Sequence, residues 1–97
     1  MSDIEFLYDR TESTTTRFVC FIGDALYRFD LAITTTTNFY GKTLVTDLQT
    51  GKSAIIGPDD LAEEGYLSYV YKINEEQASE LQSFLVEVIG DTYFTDI

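Results

Sequence analysis

The sequence predicts an α+β domain: a curved antiparallel sheet of about five strands, open or closed into a small barrel, with a C-terminal α-helix packed on it. Three observations carry this. Between residues 17 and 57, short apolar runs are separated by turn residues, and one of them alternates strictly. Residues 75–89 place Ala78, Leu81, Phe84, Leu85 and Val88 on one helical stripe. The chain has 97 residues, which fits a single domain over 1–97 with one core.

In chain order, residues 4–9 are an extended candidate, with Ile4, Phe6 and Tyr8 alternating against Glu5 and Asp9. A threonine-rich link follows. Residues 17–23 read as a strand whose apolar run, Phe18 to Ile22, is continuous, so both faces are expected to be covered and Cys20 to be a small buried residue. Residues 27–35 put Tyr27, Phe29, Leu31 and Ile33 on one face and Arg28, Asp30, Ala32 and Thr34 on the other. Asn38 and Gly41 suit a turn at positive φ. Residues 43–48 and 53–57 read as two strands joined by a short hairpin link. This succession of short strands and turns favours antiparallel pairing.

Residues 58–65 place Asp59, Asp60, Glu63 and Glu64 between Gly57 and Gly65. Pro58 is disfavoured inside a strand, Asp59 suits an N-cap and Gly65 a helix C-terminus, so a helix of one to two turns explains these acids without a ligand. Residues 66–73 alternate Leu67, Tyr69, Tyr71 and Ile73 against Tyr66, Ser68, Val70 and Lys72; this favours a strand, with a helix as the competing reading. Asn74 and Gln77 form a capping box for the final helix, which Gly90 ends before a tail.

Seventeen acids against six bases give a formal charge of −11, which disfavours nucleic acid and anionic membrane surfaces as partners and favours basic protein surfaces. Without histidine and with one cysteine, the chain lacks the commonest general base, the usual nucleophile activator and a Cys/His zinc set. Neither glycine-rich nucleotide signature occurs. A single cysteine excludes an intramolecular disulfide, and no signal peptide or membrane-spanning run is read, which points to a cytoplasmic protein. Arg17 and Arg28 could clamp an anion, but cross-strand pairing with Asp30 or another acid is the simpler reading.

The acids leave two uses open. Asp59, Asp60, Glu63 and Glu64 are oxygen ligands suited to Ca²⁺ or Mg²⁺, although their spacing is not that of an EF-hand loop. Asp60, Glu63 and Glu64, with Tyr66, Tyr69 and Tyr71, are alternatively an interaction surface, core packing being the simpler reading for Tyr69 and Tyr71. One helix covers one face of a sheet, so the other face and the sheet edges are expected to find cover, and a homodimer is expected.

The phrases RFVCFIG at 17–23, RFDLAI at 28–33, YGK at 40–42 and IIGPDDL at 55–61 together resemble a small domain-of-unknown-function family of stand-alone cytosolic proteins from low-GC Gram-positive bacteria. The resemblance spans residues 4–89 and implies a bacterial cytosolic single domain; it carries no catalytic or binding residue. Residues and resemblance together favour a non-enzymatic interaction or regulatory module without cofactor, the alternative being a small-ligand or divalent-metal binding protein using residues 59–64.

Overall fold

A computed structural model describes residues 3–37 and 41–90. The element order is β1 (Thr15–Ile22), β2 (Arg28–Thr35), β3 (Thr43–Asp47), β4 (Ser53–Ile56), α1 (Pro58–Leu61), α2 (Tyr66–Tyr71), α3 (Glu75–Leu85) and a π-helical turn (Val86–Gly90). The strands form one antiparallel sheet in the order β1-β2-β3-β4, each beside its chain neighbour. The α+β class and the C-terminal helix hold. Among the described residues, the sheet has four strands, not about five, and does not close into a barrel.

Register divides the sheet into two unlike faces. Phe29, Leu31 and Ile33 of β2 and Val45 of β3 lie on one face, where Ile56 of β4 joins them, all buried. Leu61, Leu67, Tyr71, Leu81, Leu85 and Ile89 cover that face from the helical side. The alternation in 27–35 predicted this face because burial on one side of a pleated strand requires period 2. Phe21 stacks on Phe29 at 5.1 Å and meets Phe84 at 4.7 Å, tying β1 to α3. The opposite face carries Phe18, Cys20, Ile22, Arg28, Asp30 and Ala32 with no layer over it among the described residues.

Several expectations are corrected here. The run 17–23 is not buried on both faces. β1 is the sheet edge, so Phe18 remains 71% exposed and Ile22 61%, and Cys20 is exposed rather than in the core. Residues 4–9 do not form a strand; Phe6, Leu7 and Tyr8 are all largely exposed. Residues 66–71 form the helix α2, not a strand. Leu67 and Tyr71 are four residues apart and so share a helix face that buries both, while Tyr69 points outward, 74% exposed. The period-2 signal there was carried by spacings that a helix also satisfies.

The first helix is present as a single turn, within the expected one to two, but its caps differ from those expected. Gly57, not Asp59, is the N-cap, because Pro58 takes the N1 position, where its missing N–H costs nothing. The helix ends at Leu61. Gly65 does not terminate it but opens α2 at φ +82°, a left-handed conformation that favours glycine. The Asn74–Gln77 capping box is present: Gln77 N–H donates to Asn74 Oδ1 at 2.7 Å, and Asn74 N–H donates to Gln77 Oε1 at 3.1 Å. Gly41 has the expected positive φ, +85°. Asn38, Tyr40 and the tail at 91–97 lie outside the described residues.

Candidate functional site

The acids at 59–64 do different jobs. Asp60 faces inward: its Oδ2 accepts from the Gly57 backbone N–H at 2.9 Å and from Lys42 Nζ at 3.2 Å. The first bond satisfies an orphan N–H at the helix start; the second ties the chain before β3 to α1 and holds the Lys42 ammonium above its usual pKa. Asp60 is therefore a fastening within the chain. Asp59, Glu63 and Glu64 are exposed, Glu63 and Glu64 on the link between α1 and α2.

That link forms one wall of an open cleft of about 330 Å³ between α2 and α3. Leu61, Leu67 and Ala78 supply apolar lining, and Glu63, Glu64 and Glu75 stand along it. Among the described residues, no Lys or Arg lines it. The Gln82 amide donates to the Leu61 carbonyl, fixing α3 against the end of α1 and setting the width of the cleft. Glu75 was not among the sequence candidates. It belongs to the site only because the turn at Lys72, with φ +58°, folds α3 back beside α2. No local pattern signals that juxtaposition, although Glu75 was legible as a helix-start acid.

The three tyrosines separate. Tyr66 lines the cleft, half-buried, and burial beside Asp60 pushes its hydroxyl pKa up. Tyr69 lies on the outer side of α2 with the Lys72 ammonium 4.5 Å from its ring centroid. Tyr71 is in the core, 2% exposed, its hydroxyl donating to the Val45 carbonyl at 2.7 Å. Burial drives its pKa well above the ordinary tyrosine value. It anchors α2 to β3 and offers no surface for contact.

The two arginines do not converge. Arg28 pairs with Asp30 at 3.0 Å, and hydrogen bonds from Cys20 and Gln49, together with the Arg28 bond, hold the Asp30 carboxyl below its usual pKa. Arg17 lies on the helix-covered side, its guanidinium 5.9 Å from the centroid of the Phe84 ring. Glu80, also overlooked, fastens the β1–β2 connection. Its Oε2 accepts from Ala25 N–H at 2.7 Å, and its carboxylate lies so close against Gly23 that a Cβ there would collide with it.

Among the described residues, no three Asp, Glu or Cys side chains are grouped to hold a metal ion, and no helix is long and apolar enough to cross a membrane. No curated protein matches the chain. A family model described as SAV0927-like matches residues 7–87, from the N-terminal segment through β1–β4 and α1–α3 into the π-helical turn. The chain therefore belongs to the SAV0927-like family.

Proposed function

We propose that this protein is a non-enzymatic interaction module whose cleft takes a basic, amphipathic segment of a partner protein. The observation that carries this reading is the lining: apolar Leu61, Leu67 and Ala78 with Glu63, Glu64 and Glu75, and no base among the described lining residues. Apolar side chains of a partner helix or loop would cover the leucines, while Lys or Arg would meet the three acids. The formal charge of −11 steers such a partner toward the surface. A cytoplasmic bacterial setting, as the sequence resemblance implies, accompanies this reading.

A small-ligand or divalent-metal role for Asp59, Asp60, Glu63 and Glu64 has less support. Asp60 is already engaged by Lys42 and Gly57, and the four carboxylates belong to no metal-holding group.

The test is an NMR titration of the labelled protein with a synthetic Lys/Leu amphipathic peptide, with trilysine as the purely cationic control. Shifts concentrated at Glu63, Glu64, Glu75 and Ala78, weakened by salt and abolished in the E63Q/E64Q/E75Q variant, are expected. Asp60 is left intact because it holds the start of α1. Equal shifts with trilysine, or undiminished binding in the variant, would reject the cleft as a docking site.

A further inference from the structure

We infer that β1 is a self-association edge: two copies pair antiparallel through their β1 strands about a two-fold axis, joining two four-stranded sheets into one of eight strands. β1 pairs with β2 along one side over its whole length, Thr15↔Thr35 to Ile22↔Arg28, and its other side has no strand partner among the described residues. A strand edge of this kind presents a row of unpaired N–H and C=O groups.

Natural sheets protect such edges, and the two edges here differ. β4 has four residues, with Lys52 before it and Pro58 just after it, and α2 packs against it. β1 has eight residues in unbroken register, without proline, lysine or bulge, and its last five are Phe18, Val19, Cys20, Phe21 and Ile22. Its first four residues, Thr15 to Phe18, are exposed.

Charge selects a second copy as the occupant. In a chain with seventeen acids, Thr15–Ile22 contains none, and its single charge is Arg17. This is a long strand edge that two molecules of net charge −11 can bring together without apposing carboxylates on the paired strands. An antiparallel strand beside its own two-fold mate is isologous, so one row of donors and acceptors satisfies the other. The exposed Phe18, Cys20 and Ile22 of both copies then lie on the same side of the seam and form a continuous apolar row.

The competing occupant is the chain's own segment at residues 4–9. The Glu12 carboxylate accepts from the Thr36 hydroxyl, just beyond the end of β2, which fastens the connecting link at the β2 side of β1.

Sedimentation velocity from about 1 to about 100 μM, under reducing conditions so that Cys20 cannot crosslink, tests the inference together with amide hydrogen exchange. The expected result is a dimer of twice the 11.0 kDa chain mass, strengthened by salt as repulsion between the acidic copies is screened. Alternate amides of β1, those on its free side, should exchange more slowly as concentration rises. Phe18→Lys, at an exposed position the fold does not depend on, should weaken the dimer at least about tenfold. Removal of residues 1–9 should leave the dimer intact.

A monomer at about 100 μM overturns the inference. So does a dimer without concentration-dependent β1 protection, or one indifferent to Phe18→Lys. A dimer strengthened or abolished by removing residues 1–9 also overturns it, by placing that segment at the seam. The opposite salt dependences, and the separate residues involved, keep this result distinguishable from failure of the cleft reading.

Discussion

The helix-covered face and the open face of the sheet are built from the same four strands, one residue out of step. On the covered side, Leu31, Val45 and Ile56 are sealed by α2, α3 and the π-helical turn. The other side includes Ala32, Thr46 and Ser53, among which the hydroxyls of Thr46 and Ser53 bond across β3 and β4 at 2.7 Å. In β2 the polar alternation matches that division. In β1 it does not: Phe18, Cys20 and Ile22 are apolar and face outward. A side chain's fate in a sheet thus depends on which layer arrives to cover it as well as on its own polarity, and β1 is written for a cover that its own helices do not supply.

That contrast can be broken most sharply from the covered side. Leu85→Ala removes a fully buried side chain between α3 and the sheet and should cost about 2–5 kcal/mol, measured by urea unfolding. A loss below about 1 kcal/mol would mean that the core is not sealed where α3 meets it.

Tyr71→Phe should cost about 1–2 kcal/mol, because the bond to the Val45 carbonyl joins the helical layer to the middle of the sheet. Its raised pKa adds a pH signature. Above the unfolded tyrosine value of about 10, the unfolded chain releases a proton that the native chain keeps, so stability must fall as pH rises toward the native value. Below pH 10 this contribution is fully present. A pH series of urea unfolding should show a shallower alkaline decline in Tyr71→Phe than in wild type; equal slopes would remove Tyr71 as the source.

Asn74→Ala removes the side chain that accepts from Gln77 N–H and should cost about 1 kcal/mol. Restoration by Asn74→Ser or Asn74→Asp would show that capping, not some other contact, is responsible. The smallest effect belongs to the open face. Ile22→Thr, measured at concentrations dilute enough to keep the chain monomeric, should change stability by no more than about 0.5 kcal/mol. A cost rivalling that of Leu85→Ala would show that the open face is covered within one chain and would erase the contrast.

Much of the covered face was legible in the sequence because burial imposes periodicity. Phe29, Leu31 and Ile33 repeat every second residue, and the stripe from Ala78 to Val88 repeats at helical spacing. The Asn74 cap was legible because its partners are three residues apart. The errors share a cause: each depended on an element distant in the chain. Whether Cys20 is covered depends on where α3 lies, and whether residues 4–9 pair depends on a strand edge that the sequence does not mark as open or filled. Residues 66–71 satisfied both periods over a short span, and the helix prevailed where Tyr71 could reach Val45. At the candidate site, Glu63 and Glu64 were found by density of charge, Glu75 was missed because only the reversal at Lys72 brings it near, and Asp60 was placed among the interaction acids before its two internal bonds were known.

The strand order has a further consequence, in time rather than in space. Each strand pairs with the one made just before it, so the sheet's ladders close over short lengths of chain, the topology that favours rapid folding. Synthesis runs in the same direction. A ribosome releases β1 through β4 first, then the two short helices, and only afterward the segment holding Leu81, Leu85 and Ile89. During that interval the covered face lacks Leu81, Leu85 and Ile89, so slow translation through residues 75–90 should prolong exposure of Leu31, Val45 and Ile56.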